Sequence, residues 1–244
     1  MKAFTTFING IGWVTAAGLG QGRLNPAVTR PAGPWPKLKR RLLFADPDPR
    51  FGRLDEYSKL GLAAITMAVR DAGLAEDGPR RPVSIMVGTT HGCLGTDLAY
   101  LDTMIPHNGR LASPNLFAYT LPNCFLGEAA IRFGFTGACF TVQEQTPSRC
   151  TVLQLAMETL AAGDTTIVLA GVCDLSPSMP GATEPPLPGG ALFLVLGEPP
   201  VAGAPPYGEL SLDRHGTVRL AAHAVTDLFN LAHACLPGKP MICA

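Results

Sequence analysis

Apolar and polar positions along the chain follow two periods that alternate from one end to the other. Residues 3–14 carry β-type side chains and run through Gly10-Ile11-Gly12, which predicts an opening strand. Residues 83–87 form a short apolar run ending in Gly88-Thr89-Thr90, and residues 139–142 and 167–171 are two more. Between these runs the period lengthens. Asp55 stands ahead of Leu60, Ala63, Ala64, Met67, Ala68 and Ala72 at helical spacing, and Gly73 stops the pattern. Further helices are predicted over 93–104, over 123–133 between Pro122 and Gly134, and over 147–161, with Pro147 at the start and Gly163 after the end. Residues 175–188 read as a Pro-rich loop. Residues 191–196 and 209–213 predict two late strands joined as a hairpin across a Pro/Gly turn, and 220–235 a last amphipathic helix. Strands alternating with helices argue for an α/β protein. The expected sheet has about five strands, mainly parallel, with helices on both faces and one antiparallel edge.

The chain has 244 residues, 47% hydrophobic and 16% charged, which excludes disorder as its overall state. A single domain over 1–244 is expected, with 21–53 as a basic, Pro-rich arm. No apolar run reaches the roughly 18 residues of a membrane span. The net charge of zero argues against nucleic-acid binding by bulk charge. That zero is polarised, because the arm holds eight basic residues against two acidic ones. It reads either as a solvated loop or as a dock for an acidic partner. The cysteines are Cys93, Cys124, Cys139, Cys150, Cys173, Cys235 and Cys243. An odd count with no CxxC pair points to reduced thiols and a cytoplasmic setting. Thr5, Thr6, Asn9 and Gly10 interrupt the apolar N-terminus, and Lys2 is its only base, so a secretory signal is not expected.

Most tests for chemistry fail. Gly10-Ile11-Gly12 lacks the third glycine of a dinucleotide fingerprint, since Thr15 stands there. There is no phosphate-binding loop and no GxSxG elbow. His91, His107, His215, His223 and His233 show no metal-ligand spacing, so no metal is expected. The most informative segment is 123–175, where a strand turns sharply into a long helix. Such a helix N-terminus offers free N–H groups and positive potential, which lower a thiol pKa.

Five motifs in order resemble the N-terminal half of a β-ketoacyl synthase, a thiolase-fold condensing enzyme. Ile8-Asn-Gly-Ile-Gly-Trp-Val-Thr15 resembles the family's opening strand, and Leu54-Asp-Glu-Tyr-Ser-Lys-Leu-Gly-Leu-Ala-Ala64 its "M-D-R-x-S" helix. Ser113-Pro-Asn-Leu-Phe117 with Leu121-Pro-Asn123 and Gly127 resembles its "P-N-x-x-x-G" segment. Val168-Leu-Ala-Gly-Val-Cys-Asp174 and Gly189-Gly-Ala-Leu-Phe-Leu-Val-Leu196 resemble two later strands. The resemblance implies a thiolase-like half-fold.

The departures point away from condensation. Active members carry a nucleophilic cysteine in "T-A-C-S/A-S", whereas this chain reads Gln143-Glu-Gln-Thr-Pro-Ser-Arg-Cys150. Thr146 falls at the cysteine position, or Gln145 if one residue is deleted. Glu144-Gln145 then resembles the "E-Q" of chain-length factors. Cys150 lies about one helical turn further on and is a weak candidate. The family's two histidines belong to a C-terminal half with no counterpart here, and His215-Gly216-Thr217 matches their "H-G-T" by letters only.

The resemblance therefore implies a non-catalytic, chain-length-factor-type subunit. It would pair with an active β-ketoacyl-carrier-protein synthase, or with itself, in type II polyketide or fatty acid biosynthesis. Phe117, Asn123, Glu144 and Gln145 are the implied substrate-binding positions. Cys139, Phe140, Thr141 and Val142 form the implied partner strand, and Lys39, Arg40 and Arg41 the implied dock for acyl carrier protein. No cofactor of its own is implied, since the acyl chain arrives on a carrier's phosphopantetheine. Two other readings stand beside this one: an acyltransferase using Cys150, Cys124 or Thr146, and a carrier-protein binding module.

Overall fold

The first strand, β1 (Phe4–Thr15), lies in the middle of the sheet rather than at its edge. The structure is a computed structural model and describes residues 4–76, 78–144, 150–175, 189–199 and 203–236. After β1 come β2 (Gly18–Gln21), a short helix α1 (Arg40–Leu43), and α2 (Glu56–Asp71). Then follow β3 (Val83–Thr89), α3 (Leu94–Met104), α4 (Pro114–Phe117), α5 (Cys124–Phe133), β4 (Cys139–Gln143) and α6 (Thr151–Ala162). The chain ends with β5 (Ile167–Asp174), β6 (Gly190–Gly197), β7 (Gly208–Leu212), β8 (Val218–Leu220), β9 (His223–Ala224) and α7 (Leu228–Cys235).

The sheet order is β4-β3-β5-β6-β1-β7-β8-β9, with β2 paired to β1. Its α/β class and its helices on both faces agree with the sequence reading, but the sheet is larger and more mixed. Among the described residues there are nine strands, of which only the β3–β4 and β3–β5 pairs run parallel. The late strands do not form the expected hairpin. β1 is inserted between them, so that Phe7 opposes Gly197 of β6 on one side and Glu209 of β7 on the other. A strand buried on both flanks satisfies its backbone twice, and no local pattern reveals which neighbours supply the bonds. The expected helix over 220–235 is also corrected. Ala221 turns the chain at φ 52° between β8 and β9, and α7 starts only where Asp227 accepts a hydrogen bond from the Asn230 N–H at 2.9 Å. The long helix after β4 is described from Thr151, so its expected start at 147–149 lies outside the described residues.

Strand alternation sorts the core into two layers. Ile85 and Val87 of β3, Leu169 and Cys173 of β5, and Phe193 and Val195 of β6 pack with α2 and α5. Met86, Val168, Val172, Leu192 and Leu194 pack on the other face with α6 and α7. In β1 the register slips at Asn9, so Ile8 and Ile11 share the α6 face while Gly10 and Gly12 face α2. A Cβ at Gly12 would stand 2.0 Å from the Ala68 backbone nitrogen. Gly10-Ile11-Gly12 therefore serves close strand–helix packing. Asp71 closes α2 and is buried. Its carboxylate accepts from the N–H groups of Ile11 (2.8 Å) and Arg23 (2.6 Å) and from the Tyr207 hydroxyl (2.9 Å). Burial raises its pKa above the ordinary 3.8. This carboxylate joins β1, the start of the basic arm and the approach to β7.

Candidate functional site

Ligands of open α/β sheets bind beyond the carboxyl ends of parallel strands. Here the ends of β3, β4 and β5 meet the start of α3 and the start of α6. Asp174, the last residue of β5, is buried. Its carboxylate accepts from the Thr89 hydroxyl (2.9 Å) and from the N–H groups of Thr90 (3.0 Å) and His91 (2.8 Å). Thr89 in turn accepts from the Gly92 N–H at 2.7 Å. One carboxylate thus dictates how the chain leaves β3 and enters α3. Tyr57 lies under this loop. Burial, followed by nearby Cys173, pushes its phenol well above the ordinary value. Its hydroxyl is directed toward Thr89 without a hydrogen bond of ordinary geometry.

Glu144 follows β4 on the α6 side and is 1% exposed. Its N–H donates to the Thr89 carbonyl at 2.9 Å, and its Oε1 accepts from the Val152 N–H at 3.0 Å. Oε2 is buried with no hydrogen-bond partner among the described residues. Gly88 makes the room, since a Cβ there would stand 2.8 Å from Oε1. Glu144 supplies the side-chain oxygen that caps α6 and places a carboxylate at the helix's positive end. Cys150 is the residue just before α6. Burial, then Asp227 and Glu144, push its thiol up to about 12. Cys93 is likewise held at about 12 by burial and Asp97, and burial raises Cys124. Near neutral pH these three groups remain thiols and poor nucleophiles. Gln145 and Thr146 lie outside the described residues.

Of the implied substrate positions, Phe117, Asn123 and Glu144 lie among the described residues. Phe117 and Asn123 are exposed, at the end of α4 and just before α5, and Phe117 stacks on Tyr100 with ring centroids 5.6 Å apart. Glu144 is buried on the opposite side of the sheet. Cys139, Phe140, Thr141 and Val142 lie in β4, an edge strand of half-buried residues whose one neighbour among the described residues is β3. Ile105, Leu111, Phe117 and Leu121 are each more than 60% exposed. Of the implied docking bases, Lys39 and Arg41 are exposed, while Arg40 donates to the carbonyls of Phe44 and Ala45 in its own turn. His215-Gly216-Thr217 is a hairpin turn between β7 and β8. Asp213 accepts there from the N–H groups of His215 (2.8 Å) and Thr217 (3.0 Å). The described residues hold no group of His, Cys, Asp or Glu that could bind a metal. No described helix is long and apolar enough to cross a membrane.

Sequence reasoning missed the roles of Asp174, Thr89 and the Asp71–Tyr207 contact. Asp174 had a legible signal, as a lone acid closing an apolar strand. Asp71 and Tyr207 had none, because 136 positions separate them.

Residues 40–182 match the family model of the β-ketoacyl synthase N-terminal domain, and the chain belongs to that family. No curated protein matches the sequence. Among solved structures, the ishigamide ketosynthase/chain length factor superposes with a TM-score of 0.67 at 20% identity. The match covers 85% of this chain and 62% of that one, so this chain spans under two thirds of its length. A type II polyketide acyl-carrier protein in complex with its ketosynthase, AntDE:AntF, gives 0.60 at 19% identity, covering 86% and 68%. The ketosynthase ApeO in complex with its chain length factor ApeC, from Xenorhabdus doucetiae, gives 0.57 at 17% identity, covering 80% and 79%. At these identities the likeness is one of fold.

Proposed function

We propose that this chain is a non-catalytic, chain-length-factor-type subunit that pairs with an active β-ketoacyl synthase acting on carrier-bound acyl chains. The observation that supports this reading lies in the two described residues that flank the segment between β4 and α6. A buried carboxylate, Glu144, occupies the end of α6 where an activated thiolate would be stabilised, and the nearby thiol, Cys150, is held at about 12. The raised thiols also weigh against an acyltransferase working through Cys150 or Cys124. The side of β4 that has no neighbour among the described residues, together with the exposed Ile105, Leu111, Phe117 and Leu121, favours a protein partner, because a bare strand edge invites pairing. Complexes between a ketosynthase and a chain length factor, and between a ketosynthase and a carrier protein, are among the structures of similar fold. Exposed Lys39 and Arg41 suit an acidic carrier protein.

Co-expression with candidate ketosynthases, followed by sizing chromatography with light scattering, tests the reading. A stoichiometric heterodimer is expected, and Gln145→Ala in that heterodimer is expected to change product length or yield. A chain that stays apart from every synthase, with no effect on their products, overturns it.

A further inference from the structure

A cavity of about 480 Å³ lies on the α2 side of the molecule, between the starts of α2 and α3. Trp35, Tyr57, Leu116 and Leu175 give it an apolar body, and its volume is that of an ordinary small-molecule site. The charged groups of its wall are the carboxylates of Asp55 and Glu56, and no Lys, Arg or His among the described residues lines it. The other ionisable groups of the wall stay neutral. Burial, then Asp97, holds the Cys93 thiol at about 12, and burial pushes the Tyr57 phenol well above its ordinary value. Asp55 is fixed in place, because its carboxylate accepts from the Ser58 N–H at 2.9 Å and from the Thr96 hydroxyl. Glu56, in the first turn of α2, is exposed and has no ion pair among the described residues. The field of Asp55 reaches its neighbours: burial first, and then Asp55, raise the Asp97 carboxyl above its ordinary value. Lys37 and Lys59 line a separate, smaller cavity. Glu56 belongs to both walls and is ion-paired with neither lysine. The wall of the larger cavity therefore holds two negative charges and no positive one.

We propose that this cavity binds a small organic cation, with its ammonium head beside Asp55 and Glu56 and its apolar body against Trp35 and Leu116. Aromatic rings attract cations through their quadrupole, tryptophan most strongly, and the attraction grows as water is excluded. The apolar walls supply contact area and the two carboxylates select the sign of the head. An anion of the same shape would meet two like charges, and a neutral molecule would forgo both attractions. The site does not depend on the pairing reading, because it is formed within this chain.

Trp35 reports on its own site, since the only other tryptophan, Trp13, is buried. Titrating the full chain with hexylammonium chloride is expected to change tryptophan emission saturably, with a Kd of roughly 1 mM. Trp35→Phe should remove the signal. Hexanol should bind about fivefold more weakly, and hexanoate more weakly still. Added sodium chloride should weaken hexylammonium and leave hexanol nearly unchanged. Glu56 is exposed, so Glu56→Gln keeps the fold and should weaken hexylammonium about threefold while sparing hexanol. Ala99 lines this cavity but not the smaller one and is exposed on α3, so Ala99→Phe should weaken hexylammonium about tenfold by filling the space. The proposal is overturned if the folded chain shows no saturable change, or if the change survives Trp35→Phe. It is equally overturned if hexanol or hexanoate binds as tightly as hexylammonium, or if Glu56→Gln or Ala99→Phe leaves binding as it was. Each titration uses this chain alone, so failure here leaves the heterodimer test untouched, and the reverse holds too.

Discussion

Glu144 Oε1 accepts a hydrogen bond from the Val152 N–H at 3.0 Å, so the residue after β4 caps the helix that begins seven residues later. Its other oxygen is buried without a partner among the described residues. Removing the cap in Glu144→Ala is expected to cost about 1–2 kcal/mol. Glu144→Gln keeps one acceptor and should cost less. Urea unfolding with circular dichroism measures both, and equal losses in the two variants would discard the capping role.

A thiol at about 12 holds roughly three orders of magnitude less thiolate near pH 8 than an ordinary cysteine. Alkylation of Cys150 by iodoacetamide, followed by peptide mass spectrometry, should be correspondingly slow. Its rate should climb about tenfold per pH unit between about pH 8 and 10, because deprotonation limits it. A plateau below about pH 9 would mean a reactive thiolate and would revive the acyltransferase reading.

Two glycines make a matched pair. Gly12→Ala would set a Cβ 2.0 Å from the Ala68 nitrogen of α2, and backbone must move to admit it. A loss of about 3 kcal/mol or more is expected. Gly95 lies in α3, and a Cβ there meets nothing within 4 Å. Gly95→Ala should be neutral or stabilising by up to about 1 kcal/mol, through lost freedom of the unfolded chain. Thermal melts of the two variants should move in opposite directions or differ widely. Similar shifts would mean that α2 does not pack on β1 this closely.

Burial raises the Asp71 pKa above 3.8 in the folded chain, so between that value and the raised one the folded state holds more proton than the unfolded state. The contribution is fully present below pH 3.8 and is lost as pH rises through the raised value. Asp71→Asn does not titrate. It keeps one acceptor oxygen and turns the other into a donor, so it cannot serve Ile11, Arg23 and Tyr207 together and should be destabilised by roughly 2–3 kcal/mol. Its deficit against the parent chain should shrink as pH rises through that window. Urea melts across the acid range check the trend, and a deficit that grows with pH would reverse the assigned direction.

Much of the fold was legible because its signals are local. Asp55 accepting from the Ser58 N–H, Gly134 and Gly163 in left-handed backbone after α5 and α6, and the apolar runs of β3 and β5 all act within a few residues. The late elements were harder. The run 220–235 has helical periodicity throughout, yet Ala221 at positive φ and the Asp227 cap divide it into two short strands and one short helix.

The site was legible mainly as absence. The stretch 143–150 lacks the family's cysteine motif, and that much needs only letters. What Glu144 does instead depends on Gly88, whose missing side chain lets the carboxylate lie under the start of α6. No spacing rule links Gly88, Glu144 and Val152, because they meet across a strand pair and a turn.

By itself the sequence determined the α/β class, the order of most elements, the absence of the family's cysteine motif from 143–150 and the polarised charge, since each depends on residue type at short range. The tertiary structure alone decided that β1 is inserted between β6 and β7, that Asp174 positions the β3–α3 loop, and that the basic arm brings Trp35 and Lys37 to a cavity beside α2. Those outcomes depend on which distant surfaces bury one another, and burial is a property of the assembled chain rather than of any one segment.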